Sequence, residues 1–353
     1  MPSTSNKSLI FKKVPSGLPV AGQDLVIEDR PIDLDAVPAG GLIVKSLIAS
    51  FDPYMRGRMR AANVKSYSPP FELDQPVTNS IVAKVVKSDH ANFAEGDLVV
   101  SFSNIAEYSA VPKAVVDGGR VHKVNNPYNL EPGLFVGQLG MPGLTAWSSL
   151  YKIGQPKKGE TIFVSSAAGA VGSIVGQIAK HEGLTVIGSV GSDEKAEFIV
   201  KELGFDAATN YKKESPADAL KRLAPNGIDI YYENVGGETL EAAIDAMNDH
   251  GRIVACGMIS QYNVKDRSES YGVKNLMSIV GKRILFQGFI VGDEGFGPDY
   301  AEDHQKKLQQ WLHDGSFKAK LAVTEGIDNA AEGLIGLFEG KNFGKAVVKI
   351  ADA

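Results

Sequence analysis

The run Thr161-Ile-Phe-Val-Ser-Ser-Ala-Ala-Gly-Ala-Val-Gly172 holds the residues whose types and spacing point most directly to chemistry. Gly169 and Gly172 match the second and third glycines of G-x-G-x-x-G, and Ala167 stands at the first. A residue without a side chain at 169 lets the backbone approach a pyrophosphate closely. One at 172 lets the following helix pack on the preceding strand. The helix N-terminus then presents unpaired N–H groups and partial positive charge to an anion. Such a turn binds a dinucleotide when a buried strand precedes it and an amphipathic helix follows. Thr161–Val164 is the apolar strand. Val171, Ile174, Val175, Ile178 and Ala179 recur at helical spacing. The competing reading is a tight strand–helix turn without a ligand.

The next strand decides which nucleotide. An NAD site places an acid at its end, on the adenosine ribose hydroxyls. Here the strand runs out as Ile187-Gly-Ser-Val-Gly-Ser192, with no acid at its tip. Small residues leave room for a 2′-phosphate, and Lys195 supplies positive charge just inside the next helix. The reading is NADP(H). Asp193 reads as the cap of that helix. The plain alternative for Lys195 is a solvated helix lysine.

Other chemistries lack their residues. Cys256 is the sole cysteine, so an intramolecular disulfide and a cysteine-rich zinc site are excluded. It follows an apolar run and reads as a small buried packing residue. The six histidines are scattered, without an H-E-x-x-H pair. Neither G-x-S-x-G nor a Walker A motif occurs. Hydride transfer without a metal is what remains.

These residues need a scaffold, and 353 residues suffice for about two domains. Apolar residues are 43% and charged residues 22%, as in an ordinary globular protein. With 37 basic and 42 acidic residues the net charge is −5, so neither nucleic acid nor an anionic membrane is an expected partner. No apolar run approaches the ~20 residues of a membrane span. The N-terminus lacks the apolar core of a signal peptide, and a cytoplasmic location is expected. The first ~130 residues read as irregular β structure, with runs at 42–47, 80–86 and 97–101. After residue 131, strands (Thr161–Val164, 184–187, 228–232, 251–256, 283–291) alternate with helices (193–203, 239–247). Such alternation implies a parallel sheet with helices on both faces. Residues 317–324 and 346–350 read as strands around a helix at 327–338.

Several further segments then acquire meaning together. They are Asp52-Pro-Tyr-Met-Arg56, Met141-Pro-Gly-Leu-Thr-Ala146, Ala167-Ala-Gly-Ala-Val-Gly172, Gly191-Ser-Asp-Glu-Lys195, Asn210-Tyr-Lys212, Glu233-Asn-Val-Gly-Gly237, Cys256-Gly-Met-Ile-Ser-Gln-Tyr-Asn263, Gly288-Phe-Ile-Val291 and Asn342-Phe-Gly-Lys-Ala346. In this order the chain resembles the zinc-independent medium-chain dehydrogenases/reductases of the leukotriene B4 dehydrogenase, prostaglandin reductase and alkenal double-bond reductase group. The resemblance implies an α/β fold. A GroES-like, partly closed β-barrel domain (1–131, with the C-terminal return 317–353) joins a Rossmann domain (132–316). It also implies a homodimer, a site in the cleft between domains, and NADPH-dependent reduction of the C=C bond of α,β-unsaturated aldehydes and ketones.

Carried over by position, Ala167, Ala168, Gly169 and Ala170 face the pyrophosphate, with Val171 and Gly172 completing the turn. Lys195 and Tyr211 hold the 2′-phosphate. Asn234 lies near the cofactor. Cys256, Gly257, Met258, Ile259, Ser260 and Tyr262 wrap the nicotinamide half. Phe289, Ile290 and Val291 pass beside it, and Asn342 reaches the cofactor from the tail. Tyr54 lines the substrate pocket, and Tyr262 is the polar group nearest the reacting atoms. Tyr262 either donates to the substrate carbonyl or only positions the cofactor. Arg56 and Arg58 read as structural or surface charges. Trp147 and residues 292–298 depart from the group and are expected to reshape the pocket. A quinone oxidoreductase and a non-enzymatic NADPH-binding protein are the rival readings.

Overall fold

The computed structural model describes residues 3–352. The chain forms two compact units, one running to Gly137 and resuming at Leu321, the other spanning Gln138–Lys320.

The second unit is a six-stranded sheet. Across it the strands run Ala207–Asn210, Thr185–Val190, Thr161–Val164, Ile228–Glu233, Met247–Ala255 and Leu285–Gly288. Every neighbouring pair is parallel. In chain order this is 3-2-1-4-5-6, the doubly wound arrangement whose strand order reverses beside the first strand. Parallel strands are covered on both faces and read as apolar runs. Ile162, Phe163, Val164, Ile230, Tyr231, Tyr232, Ile253 and Val254 are all buried accordingly. Helix Gly172–His181 packs Ile174, Val175, Ile178 and Ala179 inward, as their spacing requires.

The other unit is mostly antiparallel. Its larger sheet runs Leu321–Glu325, Lys345–Lys349, Leu42–Ser50, Thr78–Ser88, Leu98–Asn104 and Val121–Lys123, with Tyr108–Val111 also paired to Leu42–Ser50. Leu25–Asp29, Lys7–Phe11 and Gln75–Pro76 form a smaller sheet. Phe11, Val44, Phe51, Met55, Ile81, Val99, Leu334 and Val348 belong to one buried cluster, so the C-terminal tail completes this core.

Several elements differ from the sequence reading. The sixth strand covers Leu285–Gly288 rather than 283–291. Arg283 has φ 53°, in the left-handed region, so pairing starts after it. Beyond Gly288 the chain turns, and Phe289 stacks on Phe296 at 5.2 Å. In the tail, the strand is Leu321–Glu325 rather than 317–324. Phe317 is held back by its N–H bond to Trp311 O and by stacking on the Trp311 ring. Helix Gly297–Asp314 lies outside the periodic segments of the sequence, although Pro298 and Asp299 are ordinary first-turn residues and Gly315 (φ 77°) an ordinary stop. Trp147 does not line a pocket. It is fully buried in helix Met141–Ser149, against Tyr151, His304 and Trp311.

Candidate functional site

In an all-parallel sheet every strand ends on the same edge. The segments singled out in this unit each begin within five residues of a strand's end. Residues 167–172 follow Thr161–Val164, and Lys195 follows Thr185–Val190 after one turn. Tyr211 follows Ala207–Asn210, and Asn234 follows Ile228–Glu233. Residues 256–262 follow Met247–Ala255, and residues 289–291 follow Leu285–Gly288. They therefore gather along one edge, where open α/β sheets bind ligands.

The turn after the first strand is built for close approach. Ser166 takes φ 51°, and Ala167 N–H bonds Ser189 O at 3.0 Å. A Cβ on Gly172 would lie 2.4 Å from Ser166 O and 3.0 Å from Ala167 Cα, so only glycine closes this turn on its helix. No side chain caps helix Gly172–His181. Ser173, Ile174 and Val175 N–H bond the Gly169 and Val171 carbonyls of the turn, so what the helix start presents to an anion is its dipole.

At the second strand's tip, Tyr211 Oη lies 2.9 Å from where a Gly191 Cβ would stand. Lys195 is half-buried. Its ammonium is pushed below its usual pKa, first by burial and then by the like charge of Lys212, with Glu194 opposing. Two cations held together invite an anion between them. Asp193 is engaged elsewhere, accepting from Asn210 Nδ2 (2.8 Å) and pairing with Lys213. Asp193 is not the cap. Ser192 is, its Oγ accepting from Lys195 N–H at 3.2 Å. Serine is as good a cap as aspartate, and acids enrich the first turn behind it, which was the available signal.

Glu233 and Ser165 complete the edge; Glu233 stood at the head of a segment carrying the resemblance, without a role assigned to it. Glu233 is fully buried. Its Oε1 accepts from Tyr231 Oη (2.8 Å), Val235 N–H (2.6 Å) and Gly236 N–H (2.8 Å). Burial raises its pKa. Ser165 Oγ accepts from Asn234 N–H at 2.9 Å, and Asn234 Nδ2 donates to Ser165 O at 2.8 Å. The loop after the fourth strand is thereby fastened to the turn after the first.

Across the fifth strand's end, Cys256 and Gly257 N–H both bond Glu233 O at 3.0 Å. Burial pushes the Cys256 thiol up to about 12, so it is no nucleophile at neutral pH. Tyr262 is half-buried and its Oη accepts a long bond from Met258 N–H (3.4 Å). Tyr54 and Asn342 belong to the other unit. Tyr54 Oη donates to Asn79 Oδ1 (2.8 Å), and Asn342 Nδ2 donates to Gly344 O (2.9 Å). There Arg58 is 4% exposed and donates to Pro69 O and to both oxygens of Thr78, a structural role. Arg56 donates to Gly17 O at 2.7 Å.

Comparison with known proteins agrees with this geometry. Residues 7–124 match the family model described as the N-terminal domain of oxidoreductase, and residues 170–308 the one described as zinc-binding dehydrogenase. The chain is 54% identical over 348 residues to an NADP-dependent oxidoreductase, RED1, of Cochliobolus heterostrophus, covering 98% of each chain. This chain belongs to the medium-chain dehydrogenase/reductase family. A 2-alkenal reductase (NADP(+)-dependent) of Nicotiana tabacum is 42% identical, again over 98% of each chain. The solved structure of CurA from Vibrio vulnificus in complex with NADPH superposes with a TM-score of 0.88 at 35% identity, covering 98% of this chain and 100% of that one. One family description names zinc. Among the described residues no group of three or more His, Cys, Asp or Glu side chains could hold a metal ion.

Proposed function

We propose that this oxidoreductase reduces the C=C bond of α,β-unsaturated aldehydes and ketones. Its cofactor is NADP(H). The observation carrying the reading is the single sheet edge on which the glycine turn, the Lys195–Lys212 pair and the 256–262 loop all end. In this reading Ala167 to Gly172 cradle the pyrophosphate, and Lys195 and Tyr211 hold the 2′-phosphate. Asn234, residues 256–260, residues 289–291 and Asn342 position the remainder. When bound, NADPH supplies the hydride that the β-carbon accepts.

Reduction builds negative charge on the substrate carbonyl oxygen, which needs a donor, and leaves the α-carbon needing a proton. Tyr262 is assigned the donor role. Its contact with Met258 N–H occupies a lone pair rather than the hydroxyl proton. Removing one preorganised donor costs on the order of 10²–10³ in rate, so Tyr262→Phe should lower kcat by about that factor. Unchanged kcat would leave Tyr262 a cofactor-positioning residue. Tyr54 is assigned to substrate binding.

The reading is tested by NADPH consumption with enals, enones and para-quinones in parallel. Turnover of quinones alone would move the chain to the quinone oxidoreductases. Binding of NADPH with no turnover of any would make it a non-enzymatic binder.

We also propose a cytoplasmic homodimer. Strand Leu285–Gly288 is a sheet edge, and Leu276, Met277, Val280 and Leu285 beside it are 50%, 79%, 71% and 44% exposed. An unpaired edge flanked by apolar side chains is an interaction surface. A second copy continues the sheet through a two-fold axis. Met277→Glu with Val280→Glu should then give monomers by light scattering.

A further inference from the structure

In the parallel unit, the loop after strand Ile228–Glu233 is folded around that strand's own last side chain. Glu233 Oε1 gathers the Tyr231 hydroxyl, Val235 N–H and Gly236 N–H at 2.8, 2.6 and 2.8 Å. Ser165 Oγ stands farther off at 3.4 Å, and Tyr231 Oη also lies 3.1 Å from it. Two successive N–H groups point at one atom only where the chain turns sharply. It turns at Gly236, whose φ of 77° and ψ of −163° suit glycine alone. A Cβ there would also stand 2.8 Å from Met258 Cβ. Among the described residues, the buried Glu233 Oε2 has no hydrogen-bond partner. Only one of the two carboxyl oxygens is engaged.

The carbonyls of this loop carry the next one. Glu233 O accepts from Cys256 and Gly257 N–H (both 3.0 Å), and Asn234 O accepts from Ile259 N–H (3.1 Å). Val235 O accepts from Ser260 N–H (3.0 Å) and Ser260 Oγ (2.6 Å). Residues 256–260 thus hang from three consecutive carbonyls, and the turn that Glu233 Oε1 closes sets where those carbonyls point. Asn234 fastens the same loop to Ser165, but that link leaves Val235 and Gly236 N–H to Glu233. Without an acceptor these buried donors must turn away to find one. A side chain outside the ligand-lining segments then decides where ligand-lining backbone stands. Burial raises the Glu233 pKa against its donors. A proton would sit on the idle Oε2, so Oε1 stays an acceptor in either state.

We propose that Glu233 is a positioning residue whose single engaged oxygen fixes the 256–260 loop, and that it thereby governs affinity for the nicotinamide half of NADP(H) while leaving the adenosine half untouched. The inference rests on the assignment of residues 256–260 to the nicotinamide half.

The test compares NADP+ with adenosine 2′,5′-bisphosphate, which carries the adenosine, the 2′-phosphate and one further phosphate but no nicotinamide. Both dissociation constants are measured on one preparation, so the folded fraction cancels. Neither ligand is turned over, so the result is independent of what the enzyme reduces. Glu233→Leu should weaken NADP+ about ten-fold, as for one ordinary hydrogen bond lost, and leave the bisphosphate unchanged. Glu233→Gln keeps an oxygen for the same donors and should retain the wild-type ratio. Glu233→Ala serves should Glu233→Leu not fold. Without ligand, hydrogen exchange in Glu233→Leu should quicken over residues 256–260 and not over helix Gly172–His181. Equal weakening of both ligands overturns the proposal, because a merely structural role predicts it. So does a ratio lost as fully in Glu233→Gln as in Glu233→Leu. An unchanged ratio in Glu233→Leu overturns it too, and exchange then tells which premise failed. Quickened exchange would place residues 256–260 away from the nicotinamide. Unaltered exchange would mean that Glu233 does not hold them.

Discussion

The parallel unit makes its site mostly from main chain, whereas the antiparallel unit makes its polar centre from side chains. At the sheet edge the decisive features are a helix dipole, two glycines and a strand tip without an acid, with Lys195 and Lys212 beside it. Around Asp52 the charge already has its partner, Lys345 Nζ at 2.8 Å, and water is excluded. The first region is shaped to receive an ion. The second is shaped to hold a charge pair away from water. A single substitution should therefore act on ligand affinity in the first and on folding in the second.

The largest effect should come from breaking the buried pair. Asp52→Leu leaves Lys345 buried without its partner, which costs about 3–5 kcal/mol. Burial already holds Lys345 below its usual pKa, with Asp52 opposing that shift. The double variant Asp52→Leu/Lys345→Met removes both charges and should recover most of the loss in urea unfolding. A double variant as unstable as the single would show that the pair's worth lies in packing, and the contrast between the two regions would blur.

Among the buried titratable side chains of the parallel unit, His304 sharpens the contrast. His304 is fully buried, its Nε2–H donates to Gln138 O (2.9 Å), its Nδ1 accepts from Gln305 Nε2 (3.3 Å), and burial lowers its pKa to about 4. The unfolded chain takes up its proton near 6.5, the folded chain only near 4. Stability is thus fully present above pH 6.5 and falls as pH drops toward 4, by up to about 3 kcal/mol. His304→Gln, which cannot titrate, should lack that component. Parallel pH profiles of the two proteins would remove His304 from the account.

These regions also differ in how far the sequence exposes them. Thr161–Val164, the spaced apolar residues of the next helix and Gly172 are local patterns, so the turn and its sheet are readable from neighbours in the chain. The Lys345–Asp52 contact spans 293 positions and the Asn79–Asp52 contact 27. No periodicity marks such a pair, and Asn79 reads simply as a strand residue. Asp52 and Lys345 stood inside motifs carried by resemblance, but their partnership exists only once strands Leu42–Ser50, Thr78–Ser88 and Lys345–Lys349 align. Helix Gly297–Asp314 escaped for another reason. It buries few residues, among them His304, Leu308 and Gln309, so its apolar stripe is thin.

A binding measurement probes the sheet edge next. On the proposed role of Lys195, Lys195→Ala removes a charge-assisted contact to the 2′-phosphate, worth about 1.5–3 kcal/mol. NADPH affinity should fall about 10- to 100-fold while NADH affinity and urea stability stay nearly fixed. Equal weakening of both nucleotides would place Lys195 elsewhere than at the phosphate.

Ser192 gives the smallest effect and separates capping from charge. Its Oγ accepts the N–H of Lys195, so Ser192→Ala should cost about 1 kcal/mol of stability. Ser192→Asp caps equally well, and that loss should be absent. The new carboxylate would nevertheless stand at the second strand's tip, where it repels a 2′-phosphate and accepts ribose hydroxyls. Stability should hold while the ratio of NADPH to NADH affinity falls. A carboxylate there that left the ratio untouched would mean that the tip of the second strand does not meet the adenosine ribose. The sheet edge would then have to be reassigned from its first strand outward.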